Sequence, residues 1–373
     1  MEVINKNNFY DFKRILRSDY YKKILIISGK KSFYASGANL LINKVIKKKE
    51  YSLFFKKKKL PEIEEIKKLI KKINSYKPNL ILAIGGGSVL DIAKIANSMF
   101  ETDDLKRKII RSNYIIKKNF CDLISIPTTA GSGAEVTTNA VIYIGKKKYS
   151  IEDGKIKPTH AILFPKLIIS NTEKIKNSSA FDALSQSIES LISVKSNQKS
   201  IYYSKKSIKI FLDNYQKYIG NKNLEYAYKM SLAAFYSGKA ISITKTTAPH
   251  AVSYPFTSYF GINHGHAVSL TLSEFLRFNY ENKKNSVTKF NLNDRYKILF
   301  SLFKIKTIDE LILELEIIKN SFNLEGNFQK LNKQIIPKID LIVNNVNVQR
   351  LTNNPVRIKK RDIFKILKNK IFI

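Results

Sequence analysis

Three things are scarce in this sequence: cysteine, acidic side chains and long apolar runs. With one cysteine, Cys121, among 373 residues, the chain cannot close an internal disulfide, which fits a reducing compartment. Cys121 is also a poor candidate nucleophile, because it stands beside Asp122 at the start of an apolar strand pattern, where a thiol is structural. No stretch approaches the roughly 18 to 20 apolar residues that a membrane helix needs, and residues 1–23 lack the apolar segment of a secretory signal. A cytoplasmic protein with no membrane association is expected. Acid is outnumbered, 30 Asp and Glu against 66 Lys and Arg, for a formal charge of +36. The lysines are spread along the whole chain among isoleucines and asparagines. No zinc-finger spacing, RNP-type aromatic motif or isolated basic arm accompanies them, so specific nucleic-acid binding is not expected, although weak adhesion to polyanions is. A positive field would equally draw in an anionic substrate or cofactor.

At 44% hydrophobic and 11% aromatic residues, the chain is globular and long enough for two domains, each with its own core. Strand-like runs at residues 24–28 (ILIIS), 51–55 and 80–84 (LILAI) come first. Between the last two, Ile63, Ile66, Ile70 and Ile73 recur at helical spacing after Pro61. Strand, helix, strand predicts a parallel α/β sheet, which residues 123–126 continue; residues 141–144 and 149–151 suggest a hairpin. Beyond about residue 165 strands become rare, and helices are predicted over 179–194, 201–218 and 224–241. This gives an α/β domain at 1–168 and an all-α domain at 169–373. The lysine-rich stretches 47–49 and 56–59 read as solvated faces.

Directly after the strand 80–84 come Gly85, Gly86, Gly87 and Ser88, and a helical pattern opens. Glycines at a strand end let the backbone turn tightly and approach a phosphate, and the helix N-terminus that follows offers N–H donors and a positive dipole end. An ordinary strand-to-helix turn uses glycine too. A second loop, residues 127–137 (PTTAGSGAEVT), crowds the hydroxyls of Thr128, Thr129 and Ser132 among glycines at another strand's carboxyl end, where open α/β sheets bind ligands.

In the second half, Asp182 and Gln186 are four residues apart on a predicted helix, hence one turn apart on one face. His250, His264 and His266 fall in one short segment, APHAVSYPFTSYFGINHGHAV. A carboxylate with two imidazoles suits a divalent ion such as Fe(II) or Zn(II), an amide oxygen serving as a weaker fourth donor; histidines as ordinary polar residues are the alternative.

GGGSVLDIAK (85–94), PTTAGSGAEVT (127–137), DALSQSIES (182–190), His250, His264-Gly265 and NNP (353–355) together resemble the group III, iron-containing alcohol dehydrogenases. The motifs keep that family's order and cover nearly the whole chain. The resemblance implies a dinucleotide-binding N-terminal domain, a helical metal-binding C-terminal domain and the dehydroquinate-synthase-like architecture. It implies that Gly85, Gly86, Gly87 and Ser88 hold the cofactor diphosphate with Asp91 nearby, that Thr128, Thr129 and Ser132 lie around the nicotinamide side, and that Asp182, His250 and His264 are metal ligands. Two positions depart from the family pattern. Gln186 replaces the usual histidine ligand, and Tyr254 stands where many members carry a proton-relaying histidine; His266 is a second candidate for that relay. Residues 238–272 are similar to the phosphonoacetaldehyde reductase branch.

The activity implied is NADH- or NADPH-dependent reduction of an aldehyde to a primary alcohol, with a small anionic aldehyde as substrate and a homodimer as the assembly. Gly29 and Lys30 follow the first strand where NAD-specific relatives place an acid, which points to tolerance of NADPH. Lys245, Thr246 and Thr247, just before His250, would supply a charge and hydroxyls for the substrate's anion. Alternatives are a dehydrogenase of uncharged short-chain alcohols, a non-redox dehydroquinate-synthase-like lyase, or a polyanion-binding protein.

Overall fold

The computed structural model describes residues 2–3, 8–17, 19–46 and 49–369. Lys47 and Lys48 of one lysine-rich stretch lie outside the described residues. The chain divides into two compact units, residues 1–171 with 222–232, and residues 172–221 with 233–373.

The first unit contains the strands β1 (Glu2–Val3), β2 (Lys23–Gly29), β3 (Glu50–Lys56), β4 (Leu80–Gly85), β5 (Asp122–Pro127), β6 (Asn139–Ile144), β7 (Lys147–Glu152) and β8 (His160–Ile162). Its helices are α1 (Asn8–Arg17), α2 (Lys30–Ala35), α3 (Ala38–Asn43), α4 (Ile63–Tyr76), α5 (Gly87–Ser98), α6 (Leu105–Arg111) and α7 (Pro165–Ile169). Among the described residues, six strands pair in parallel in the order β1-β8-β5-β4-β2-β3, while β6 and β7 form an antiparallel hairpin. The continuous apolar strands follow from burial on both faces. Leu25, Ile27, Ile81, Ala83 and Leu123 pack with α4 and α5 on one side. Ile24, Ile26, Leu80, Leu82, Ile84, Ile124 and Ile126 pack with α1 and Phe33 on the other.

Register brings the glycine-rich ends together. Gly85 of β4 stands opposite Pro127 of β5, and the Thr128 N–H donates to the Gly85 carbonyl at 3.0 Å. The loops that follow these two strands therefore leave the same edge of the sheet side by side.

One part of the lysine reading is corrected. Lys57, Lys58 and Lys59 are exposed, but Lys56 is buried at the end of β3. Its ammonium is satisfied by the carbonyls of Lys58 and Lys59, which a solvated lysine would not need.

The second unit is built on α8 (Glu173–Ile192), α9 (Gln198–Tyr218), α10 (Leu224–Thr244), α11 (Ala248–Phe260), α12 (His264–Ser269), α13 (Leu272–Glu281), α14 (Leu292–Phe303) and α15 (Ile308–Ser321). Four short helices follow: α16 (Phe328–Leu331), α17 (Ile339–Asn344), α18 (Val348–Leu351) and α19 (Lys360–Asn369). Residues 222–232, which include the start of α10, group with the first unit, a division that no sequence pattern marks. Helix α8 is buried along nearly its whole length despite many serines. Those hydroxyls are satisfied internally: Ser185 donates to the Phe181 carbonyl and Ser187 to that of Ala183, with Ser207 of α9 2.7 Å from Ser187. Small side chains at these positions thus let α9 pack closely on α8 while Ser185 and Ser187 keep hydrogen-bond partners.

Cys121 precedes β5, its N–H bonded to Asn97. Burial, with Asp122 adding to it, pushes the thiol up to about 12. At pH 8 only about one molecule in ten thousand then carries the thiolate. A thiol reagent such as Ellman's should react slowly with the folded protein and release one equivalent after denaturation; fast reaction in the folded state would contradict this burial.

Candidate functional site

In the first unit, α5 begins at Gly87, so the Gly85 to Ser88 loop runs straight into a helix N-terminus. An ideal Cβ at Gly85 would sit 2.6 Å from Val89, and one at Gly87 would sit 2.6 Å from the Ser132 hydroxyl. Glycine is therefore required for the two loops to touch. Thr129 lies against Gly86, and Ser88, Thr129 and Ser132 are only partly buried, so backbone and hydroxyls stay available at the strand ends. Thr128 is buried. The second loop is held by a residue not singled out in the sequence, Lys94. Its fully buried ammonium donates to the carbonyls of Ala134 and Asn139, each at 2.7 Å, and to the Thr137 hydroxyl at 2.8 Å.

Asp91 has a structural role beside the glycine loop. Its carboxylate accepts the Val141 N–H at 3.1 Å and lies 3.8 Å from Lys94, so it fastens the hairpin to α5. Gly29 ends β2 and Lys30 opens α2, exposed, with Lys31 exposed beside it.

In the second unit, one face of α8 presents Asp182, Gln186 and Glu189, spaced by four and three residues. Helices α11 and α12 bring histidines to it. His250 Nε2 is 3.1 Å and His264 Nε2 4.0 Å from Asp182 Oδ1. One ligand atom from each of Asp182, His250 and His264 lies within 4.8 Å of the others. The two imidazoles meet edge to face at 5.3 Å, and Tyr254, one turn after His250, stacks on His264 at 5.7 Å. This donor set, one carboxylate and two imidazole nitrogens, fits a borderline divalent cation.

Two local features make the approach work. Gly265 lets α12 close on α8, since an ideal Cβ there would fall 1.9 Å from the Ser178 carbonyl oxygen and 2.8 Å from the Asp182 side chain. Pro255, inside α11, has no N–H for the Ala251 carbonyl, and the Asn347 N–H before α18 reaches that carbonyl at 3.5 Å.

Electrostatics agree with a cation site. Burial alone would lower the His250 imidazole, but the Glu189 and Asp182 carboxylates outweigh it and lift the group to about 9. A cation held by His250 would take the place of the proton that those carboxylates favour. Glu189, absent from the sequence-based candidates, is fully buried and bonds His250 Nδ1. Its signal was the spacing 182, 186, 189.

Other expected residues fall differently. Gln186 is buried beside Asp182, and its amide oxygen accepts the Ser237 hydroxyl at 2.7 Å. His266 is corrected: its Nε2 is 2.8 Å from the Glu325 carbonyl and burial lowers it, so it stands apart from the cluster as a fold contact. Thr247 is corrected as well, because its hydroxyl donates to Glu189 at 2.9 Å and cannot also donate to a substrate anion. Thr246 is buried and bonded to Tyr254, whereas Lys245 is only partly buried, with φ 61° just past the end of α10.

Comparison with known proteins places this geometry. Residues 3–165 match the iron-containing alcohol dehydrogenase model, and residues 176–371 match the C-terminal model of the Fe-containing alcohol dehydrogenase family. The chain belongs to the iron-containing alcohol dehydrogenase family. It is 31% identical over 249 residues to 4-hydroxybutyrate dehydrogenase of Clostridium kluyveri, covering 65% of each chain. It is 29% identical over 227 residues to phosphonoacetaldehyde reductase of Streptomyces viridochromogenes, covering 58% of this chain and 57% of that one. These matches thus span about two thirds or less of the relatives' own lengths. The solved structure of sulfoacetaldehyde reductase from Bifidobacterium kashiwanohense, in complex with NAD+, superimposes with a TM-score of 0.85 at 27% identity, over 100% of this chain and 96% of that one. The iron-containing alcohol dehydrogenase of Thermococcus thioreducens shares the fold, with a TM-score of 0.88 at 21% identity over 100% and 98% of the two chains.

The glycine contact gives a test. Gly265→Ala forces a methyl group into a backbone carbonyl, a change expected to cost about 1–3 kcal/mol or more. The variant should melt lower and retain little divalent metal after reconstitution; unchanged melting and metal content would refute the packing of α12 on α8.

Proposed function

We propose that the chain is a metal-dependent NAD(P)H aldehyde reductase acting on a small aldehyde with an anion at its far end, foremost phosphonoacetaldehyde, giving 2-hydroxyethylphosphonate. The observation that carries the reading is the convergence of Asp182, His250 and His264. These three residues would hold a divalent ion, Fe(II) or Zn(II). That ion supplies a Lewis acid for a carbonyl oxygen, and a bound nicotinamide supplies hydride.

The chain's own residues do the rest. Gly85 to Ser88 and the hydroxyls of Thr129 and Ser132 would hold the cofactor's phosphates and orient its ring, with buried Thr128 supporting the loop. Tyr254 keeps its phenolic proton because burial raises it, and it lies on the ring of His264, so it is the group placed to hold a proton beside the ligands. Lys30 and Lys31, with no acid after β2, favour NADPH at least as well as NADH. A cytoplasmic homodimer fits the composition and the family.

The anionic substrate is supported by the names of three relatives, for 4-hydroxybutyrate, phosphonoacetaldehyde and sulfoacetaldehyde, all short chains with an anion at the far end. Lys245 is the charge nearest in sequence to His250 on the chain segment that leads into α11, and the +36 balance adds long-range attraction.

Steady-state kinetics with phosphonoacetaldehyde and propanal, each with NADH and NADPH, test this. We expect kcat/KM for the phosphonate aldehyde to exceed that for propanal by about tenfold or more, the scale of a charge-assisted hydrogen bond. Lys245→Ala should erode only the charged substrate. Equal or better use of propanal would replace the anionic substrate with an uncharged one, and equal losses in the variant would remove Lys245 from the substrate site.

A further inference from the structure

Glu189 has 0% exposure and gathers four donors. Its Oε1 accepts the Thr247 N–H and O–H, both at 2.9 Å, and the His250 N–H at 3.4 Å. Its Oε2 bonds the His250 ring at Nδ1. One oxygen therefore caps the start of α11 and the other holds the imidazole. We propose that Glu189 is a positioning residue of the metal centre, fixing His250 as the Nδ1–H tautomer so that Nε2 turns its lone pair toward Asp182 and His264. The role rests on the reading that those three residues hold a divalent cation.

Two arguments support a carboxylate at this place in preference to any polar cap. A neutral imidazole carries one ring proton, and an acceptor at Nδ1 decides which nitrogen has it. The second argument is charge. Two neutral histidines and Asp182 leave a buried divalent ion one charge short of balance, and Glu189 supplies the missing charge inside the same dry region. The amide of Gln186 contributes none.

A glutamine cannot reproduce both bonds, because it has one oxygen. If that oxygen keeps capping α11, the amide NH2 faces Nδ1 and drives the ring proton to Nε2, where it blocks the cation. We therefore expect Glu189→Gln, folded by circular dichroism and thermal melting, to bind Zn(II) 10- to 100-fold more weakly than wild type in a competition titration with a chelator. Nitrogen-15 histidine spectra of the Zn(II)-loaded wild type, simplified by having only four histidines, should show one metal-bound imidazole protonated at Nδ1 and hydrogen-bonded. That second measurement decides the matter if the variant does not fold. Wild-type protein that binds Zn(II), with a folded Glu189→Gln that binds it within about threefold as tightly, overturns the positioning role alone, as does ligation of His250 through Nδ1. Wild-type protein that binds neither Zn(II) nor Fe(II) overturns the metal reading and this role with it.

Discussion

Carboxylates buried on a helix that is itself buried impose the central constraint on the second unit. Asp182 and Glu189 lie on one face of α8, out of reach of bulk water, and an unpaired buried carboxylate costs several kcal/mol. Every nearby feature answers that cost. His250 sits between them, one ring nitrogen toward each. Thr247 turns its N–H and O–H inward, and Gly265 lets the next helix come close enough to deliver His264. Ser185 and Ser187, elsewhere on α8, donate to carbonyls of the helix itself, so they add no unmet polar demand of their own.

The first unit meets a different constraint with similar economy. A parallel sheet covered on both faces leaves its strand ends as the place where backbone groups are free to meet a ligand. Here two such ends are adjacent, and the loops that leave them touch through glycines. Lys94 and Asp91 do not face outward from this edge. They tie α5 to the second loop and to the hairpin, and so keep the loop shape that the glycines permit.

Much of this was legible in the sequence. The strands 23–29, 80–85 and 122–127 announced themselves because burial on both faces demands unbroken apolar runs, and α8, α9 and α10 are long enough for their length alone to signal helix. The candidates Asp182, His250 and His264 were legible by residue type and spacing, and the structure brings them together. What the sequence could not resolve was direction. His264 and His266 are two residues apart, roughly 200° around a helix, so only one can face α8. The structure turns His264 to Asp182 and His266 to Glu325. Thr247 read as a substrate ligand because its partner Glu189 is 58 residues away, and Lys56 read as a solvated group because its partners are the backbone carbonyls of Lys58 and Lys59, which no residue type announces. For Glu189 the spacing 182, 186, 189 gave the face, but not its partners, which lie 58 and 61 residues away. The helices α16, α17 and α18 are only four to six residues long and too short to carry a helical repeat; with α19 they are held by a shared core with α11 that includes Val252, Phe256, Ile339 and Ile363.

The proposed activity requires Asp182, His250 and His264 to hold one divalent ion. His264 is the partly exposed member, so its loss should spare the fold. Metal content and Zn(II) affinity of wild type and His264→Ala, each stripped and reconstituted, test the claim directly. The account predicts one tightly held ion per chain in wild type and at least about a tenfold loss of affinity in the variant; equal stoichiometry and affinity in the two proteins would contradict it.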